Sequence, residues 1–116
     1  MTLEELNQTW LLSNEIAMND TRLSALKIAE QREQNPEIKA LLFEHRSIVE
    51  ERHQWCIKER ERLEAYTAGI SDNFLRRIFF YRFVKGLSWS SVASNIGGGN
   101  TSACLKMKAS RYVREH

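Results

Sequence analysis

Glycine and proline are distributed unevenly along this chain of 116 residues, and their positions constrain its architecture. The single proline is Pro36, and all five glycines follow residue 68: Gly69, Gly86, Gly97, Gly98 and Gly99. Relative to alanine, glycine costs about 1 kcal/mol in a helix interior and proline about 3 kcal/mol. The first 68 residues are therefore predicted to form two long helices that meet near Pro36, and the remainder to form short helices separated by turns.

Residues 1–68 also carry the apolar spacing of a coiled coil. Thr2 and Glu5 fit a capping box, which predicts that a helix begins there. Alternating steps of four and three residues relate Leu12, Ile16, Asn19, Leu23 and Leu26. In a second helix, from Pro36 to about Thr67, the same steps relate Ile38, Leu42, His45, Val49, Arg52, Cys56, Glu59, Leu63 and Tyr66. Because only a few residues join the two helices, the pattern predicts a long antiparallel helical hairpin in an all-α protein.

A second apolar stripe, formed by Leu41, Ile48 and Trp55, lies beside the predicted seam of the second helix. One hairpin buries only one stripe per helix, so Trp10, Phe43 and Trp55 are expected at the surface unless another chain covers them. Large apolar patches seldom stay exposed on monomeric proteins. We therefore expect the hairpin, residues 1–68, to be an oligomerisation arm that forms a homodimer.

Charge divides the chain at nearly the same place as glycine. Residues 1–70 hold nine Lys and Arg against thirteen Asp and Glu, whereas residues 71–116 hold eight against two, a net charge of +6. Concentrated positive charge on a short segment attracts a polyanion, and the commonest such partner is nucleic acid. From charge alone, a solvated basic face without a partner is the alternative.

Residues 71–116 predict three short helices. Asp72 and its neighbours offer caps for the first, which Gly86 should end, and Ser88 can cap the second, from Trp89 to Ile96. A third begins at Asn100 or Thr101 and runs nearly to the C-terminus. The second and third are joined in the manner of a helix-turn-helix: Ala93 lets the helices cross closely, and Gly97, four residues later, can take a left-handed conformation in the turn.

This segment resembles region 4 of the bacterial sigma-70 factors. It is more closely similar to the small sigma-region-4-like regulators of bacteriophages and prophages, a group that includes the ArpU- and RinA-type late-gene regulators. The residues that carry the resemblance are Arg82-Phe83, Gly86-Leu87-Ser88-Trp89, Val92-Ala93 and Ile96-Gly97. In that family a helical arm often precedes the domain. The resemblance implies a helix-turn-helix domain in residues 71–116 that binds double-stranded DNA, with the helix after Gly97 in the major groove.

Two groups of residues are candidates for DNA contact. Those expected to face the groove are Asn100, Thr101, Ser102, Lys106 and Ser110. Those expected to meet backbone phosphates are Arg76, Arg77, Lys85, Ser88, Ser90, Lys108, Arg111 and Arg114. Arg77 and Arg82 could instead form ion pairs or stack on aromatic rings, and Trp89 is expected in the core rather than against a base.

Two departures from the family pattern affect specificity. The turn from Gly97 to Thr101 is longer than the turn usual in that family. The sequence therefore does not determine the angle between the last helix and the helix before it. Its exposed face is also poor in strong base-reading residues, since Ser reads weakly and Met107 offers only apolar contact. Sequence preference is expected to be modest, or to need two copies of the domain.

Two other functions share the same features. A phage DNA-packaging component similar to a small terminase subunit also joins a DNA-binding helical domain to an oligomerising hairpin, and it would form a ring rather than a dimer. A protein adaptor that docks on RNA polymerase, as sigma region 4 does, would bind DNA weakly despite its charge. Transcriptional regulation is the leading prediction, with RNA polymerase as a further candidate partner.

An enzyme is not expected. The Gly97–Asn100 run lacks the Lys-Ser/Thr pair of a phosphate-binding loop, and no nucleophilic triad is suggested. His53 and Cys56 share a helix face but lack a third metal ligand, so neither a metal site nor another cofactor is predicted. No apolar run reaches the ~18 residues of a membrane span, and the N-terminus lacks the pattern of a secretory signal. With two cysteines interpreted as free thiols, a cytoplasmic location is expected.

Overall fold

The computed structural model describes all 116 residues, and every regular element in it is helical. The elements are α1 (Leu3–Arg32), α2 (Pro36–Ala68), α3 (Asn73–Phe79), α4 (Trp89–Ile96) and α5 (Ser102–Glu115), and a π-helical segment, Phe80–Val84, continues α3. The predicted all-α fold, a long helical hairpin followed by a group of short helices, is confirmed. None of the helices has an apolar stretch long enough to cross a membrane.

The ends of the long helices follow from local hydrogen bonds. Thr2 Oγ1 accepts a hydrogen bond from the backbone amide of Glu5 at 3.1 Å and donates one to Glu5 Oε1 at 3.3 Å. At the start of α2, Asn35 Oδ1 accepts from the amide of Glu37 at 2.9 Å, while Pro36 occupies the first helical position, where no amide hydrogen is needed. Both predicted starts are therefore confirmed.

Contacts divide the chain into two compact units. One, which we call the hairpin unit, comprises Leu12–Glu59. The other, which we call the basic unit, comprises Met1–Leu11 together with Arg60–His116. The boundary from contacts thus differs from the division near residue 70 that charge and glycine suggest, because the first turns of α1 and the last turns of α2 share a core with the short helices.

In the hairpin unit, α1 buries the predicted seam residues Leu12, Ile16, Asn19 and Leu23. On α2 the predicted register is partly wrong. Val49 and Cys56 are buried as expected, but His45 and Arg52 are exposed, and the polar side chains that turn inward are Arg46 and His53. The physical reason is contact with carboxylates of α1 across the hairpin. Arg46 Nε lies 2.6 Å from Glu30 Oε2, and His53 Nε2 lies 2.9 Å from Asp20 Oδ1.

The core of the basic unit is dense in aromatic rings. Phe79 lies 5.3 Å from Phe83 and 5.6 Å from Tyr112 between ring centroids, both in edge-to-face geometry. The buried cluster around them consists of Leu6, Ile70, Phe79, Phe83 and Ala109. A second cluster consists of Ile78, Val92 and Leu105. Trp89 packs against both, so its predicted place in the core is confirmed.

The first short helix ends where the sequence predicts, at Gly86, but its last turn is wider than an α-helix. The amide of Lys85 donates to the carbonyl of Phe80, the five-residue step of a π-helix, at 2.9 Å. Gly86 then turns the chain with φ of +73°, and a Cβ at this position would clash with the Trp10 ring. Trp10 keeps 43% of its surface exposed, as expected for this residue, while its ring covers the glycine.

Candidate nucleic-acid interface

The helices α4 and α5 form the predicted helix-turn-helix pair, and each begins with a hydroxyl cap. Ser88 Oγ accepts from the amide of Ser91 at 3.2 Å, and Thr101 Oγ1 accepts from the amide of Cys104 at 3.2 Å. Between them, Gly97 closes α4 by donating its amide hydrogen to the Ala93 carbonyl at 2.9 Å. The small residue and the glycine therefore take the positions that the motif requires.

The turn between these helices depends on glycine. Gly97, Gly98 and Gly99 have φ values of +70°, +67° and +76°, a succession that residues with a Cβ rarely adopt. Asn100 closes the turn, because its Nδ2 donates to the Gly97 carbonyl at 2.9 Å. Two of the predicted groove residues, Asn100 and Thr101, thus use their side chains within the turn and the cap.

The other three predicted groove residues share one face of α5. Ser102, Lys106 and Ser110 are spaced by four residues, so they lie above one another along the helix. Lys106 is exposed and the two serines are half-buried, while Leu105 and Ala109 anchor the neighbouring side of α5 in the core. This face therefore presents one cation between two small hydroxyls.

The structure adds residues to this face that the sequence interpretation missed. The first turn of α1 lies beside α5, and the two border an open groove of about 860 Å³. Met1, Leu3 and Glu4 line its α1 side. On the α5 side the groove is bordered by Ala103, Lys106, Met107, Ser110, Arg111, Val113 and Arg114. No local pattern indicates this pairing, because about one hundred residues separate the two walls.

The predicted phosphate contacts fall into braced and free side chains. Arg76 is braced: its guanidinium donates to the Ile70 carbonyl at 2.8 Å and to Asn73 Oδ1. Lys85 and Lys108 are exposed and lie over aromatic rings, 5.7 Å from the Phe80 centroid and 5.1 Å from the Phe74 centroid respectively. These contacts bury part of each stem and leave the ammonium group at the surface.

The remaining candidates are at the surface. Arg77, Ser88, Ser90, Arg111 and Arg114 are all exposed. Ser88 already caps α4. Arg82, which has both structural and phosphate interpretations, donates to the Leu87 carbonyl at 2.9 Å and lies 5.1 Å above the Trp89 ring, so it holds the entrance to α4 in place.

Basic side chains in the first part of the chain pair with carboxylates, whereas those after residue 70 do not. The basic residues that pair with carboxylates all precede residue 63, in contacts that include Arg46–Glu30, Arg52–Glu15, His53–Asp20, Arg60–Glu64 and Arg62–Glu5. The eight Lys and Arg residues after residue 70 have no carboxylate partner. Their charge therefore remains available to a polyanion.

Carboxylates and a thiol cluster instead in the hairpin unit. A hydrogen bond from Arg52, and a second from the Cys56 thiol, lower the pKa of Glu15, and a hydrogen bond from Arg46 lowers that of Glu30. Burial, followed by the nearby Glu15 carboxylate, raises the pKa of Cys56 to about 11. Both cysteines are free, and no three His, Cys, Asp or Glu side chains converge as a metal site would require.

Comparison with known proteins adds no relative: no family model, no curated protein and no solved structure matches this chain.

Proposed function

We propose that this protein is a DNA-binding transcriptional regulator of phage or prophage type. It binds double-stranded DNA through the α4–α5 helix-turn-helix, with α5 in the major groove, and acts as a homodimer held by the long helices. The observation that carries the proposal is the set of cations after residue 70 that have no carboxylate partner. The phosphate groups of nucleic acid are anions that such a surface can bind.

In this proposal, different residues of α5 contact the bases and the backbone phosphates. Lys106, between Ser102 and Ser110, is the residue on this face able to donate strongly to guanine. The remaining exposed cations of α5, Lys108, Arg111 and Arg114, bind the backbone phosphates. With a single strong reader per copy, sequence preference depends on two copies that bind paired half-sites.

Fluorescence anisotropy with a mixed pool of genomic duplexes at two salt concentrations tests this function, with the bound fragments sequenced. We expect a steep salt dependence and one enriched motif made of paired half-sites. Absence of binding at low salt would overturn the proposal, and binding without an enriched motif would overturn sequence-specific regulation.

Two lysine variants distinguish a contact to the bases from a contact to the backbone phosphates. Lys106→Ala should lower affinity for the enriched site by about ten-fold and relax the preference at one position. Lys108→Ala should weaken binding to all duplexes about equally and lower the salt slope by about one. Lys58→Ala, which removes the same charge from an exposed position of α2, is the matched control and should change neither quantity.

A protein-docking adaptor is the second candidate. The exposed surface of the groove between α1 and α5 is mainly apolar, and Met107, which borders it, is 64% exposed. These are features of a surface that binds an apolar segment of another protein, such as RNA polymerase. Purified polymerase that bound the protein tightly, while duplex DNA did not, would favour this function over the first.

A further inference from the structure

The hairpin unit exposes an apolar face that its own helices leave uncovered. Its side chains are Met18, Leu41, Ile48 and Trp55, with exposed fractions of 67%, 65%, 61% and 50%. The three on α2 are spaced by seven residues, so they form a straight stripe along the helix. Each directly precedes a residue of the seam with α1, and Met18 directly precedes Asn19 of the α1 seam.

These four side chains lie on the same side of the hairpin. In an antiparallel pair, residues one step before the seam point to the same side from both helices, because the helices run in opposite directions. One ion pair in the structure agrees with this geometry. Glu15 and Arg52, each one step before a seam residue, pair at 3.0 Å. We name the surface formed by Met18, Leu41, Ile48 and Trp55 the hairpin face.

We propose that the hairpin face packs against the hairpin face of a second copy, so that four helices form a bundle in which α1 of each chain runs against α2 of the other. This deepens the homodimer of the proposed function by naming its surface and arrangement, and it does not depend on DNA binding. The charged groups near the centre permit the burial: Arg52 is already paired with Glu15 and lies 4.4 Å over the Trp55 ring.

The area of the face suits a second copy. In the hairpin unit the face is about 30 Å long and two helices wide, which gives roughly 600 Å² per chain. Stable interfaces bury about 800 Å² per partner. A dimer through this face therefore lies close to the standard size, and four large apolar side chains from each chain supply its centre.

Charge selects one arrangement of the two copies. Asp20 lies opposite His53, and the helices are antiparallel, so Arg22 lies at about the level of Glu51, near the middle of the unit. Both side chains are exposed, and neither has a partner within the chain. If α1 of one copy ran against α1 of the other, Arg22 would meet Arg22 and Glu51 would meet Glu51. If α1 runs against α2, each Arg22, one step before the seam residue Leu23, comes near Glu51 at the outer edge of the second copy's face.

Sedimentation equilibrium of the full chain without DNA tests the face. We expect a dimer at micromolar concentration, and Ile48→Glu should raise its dissociation constant at least about 100-fold, because it buries an unpaired charge. Phe43→Glu is the control: Phe43 is 53% exposed but follows a seam residue, so it points to the other side of the hairpin. A monomeric wild type, or a dimer lost with Phe43→Glu and kept with Ile48→Glu, would overturn the proposal.

A charge exchange tests the arrangement. Arg22→Glu and Glu51→Arg should each weaken the dimer about ten-fold, and the double variant should return to within about three-fold of the wild type. Double-variant weakening that equals the sum of the two single effects would overturn the pairing of α1 with α2. Since both positions are exposed, circular dichroism should report unchanged helix content. Lys106→Ala should leave dimerisation intact, so a failure of DNA binding is distinguishable from a failure of this inference.

Discussion

The hairpin unit and the basic unit are both helical, but they place charge and apolar surface in opposite ways. In the hairpin unit, carboxylates neutralise cations in pairs such as Glu15–Arg52 and Glu30–Arg46, while large apolar side chains remain at the surface. In the basic unit, aromatic side chains fill the core, and the cations after residue 70 have no acidic partners. Helix content therefore says little about function here; the outer residues distinguish a surface suited to another protein from one suited to a polyanion.

The largest expected effect concerns the contact between Gly86 and the Trp10 ring. Gly86→Ala should destabilise the basic unit by about 3 kcal/mol or more, because the new Cβ meets the Trp10 ring and φ at this position is +73°. Thermal denaturation followed by near-ultraviolet circular dichroism measures it. Gly99→Ala, at φ of +76° with no atom within 4 Å of the new Cβ, is the control and should cost about 1–2 kcal/mol. Equal losses would show that packing against Trp10 contributes nothing.

The second prediction compares the thiols of the two units. Cys104 is exposed on α5, whereas Cys56 is buried with its pKa raised to about 11. At pH 8 we expect Cys104 to react with a thiol reagent at least about 100-fold faster than Cys56, because the thiolate is the reactive form. Mass spectrometry of the labelled protein over time distinguishes the two sites. Comparable rates in the folded protein would contradict the buried position of Cys56.

The third prediction uses acid to separate the units. The pKa values of Glu15 and Glu30 are lowered in the folded chain, so both carboxylates stabilise it above their ordinary value of 4.5, and this contribution is lost as pH falls through the lowered values. Stability from urea denaturation should therefore decrease as the pH falls below 4.5. The double variant Glu15→Gln, Glu30→Gln should show a flatter profile, whereas Glu44→Gln, at an exposed carboxylate without an ion pair, should follow the wild type.

The smallest expected effect is on DNA affinity. Glu4 lines the same groove as Lys106 and Arg114, so in the proposed complex with DNA its negative charge would repel phosphate. Glu4→Gln should tighten duplex binding by about two- to three-fold at low salt, and the gain should shrink as salt screens the charge. Anisotropy titrations at two salt concentrations measure it, and Glu61→Gln on α2 is a control with the same charge change. Weaker binding by the Glu4 variant would place the DNA away from this groove.

The features of this structure that the sequence predicts are those determined by residues close together in the chain. Caps such as Ser88 and breakers such as Gly86 act within a few residues, so helix bounds are readable, and the α1 seam follows from its regular spacing. The α2 register predicted from spacing is partly wrong because carboxylates on another helix stabilise Arg46 and His53 in the seam. Spacing along α2 does not contain that information.

The candidate interface shows the same limit. The positions of Lys106 on α5 and of the glycine turn follow from residues that are close in sequence. The groove wall formed by Met1, Leu3 and Glu4 does not, because nothing near these residues indicates that they pack beside α5. Similarly, the π-helical step from Phe80 to Lys85 results from how the aromatic side chains fit their core, which no helix propensity describes.

The shared core of Leu6 and Ala109 also has a kinetic consequence. During synthesis the N-terminal turns of α1 emerge well before α5, yet the cluster that buries Leu6 is complete only when α5 has been made. The hairpin unit, whose contacts are closer in sequence, has all its residues available earlier. Once formed, it holds Leu11 and Arg60, where the two segments of the basic unit begin, near each other. The entropic cost of closing the long loop between those segments is then lower. We therefore expect the hairpin unit to fold before the basic unit, because it brings the two segments of the basic unit together.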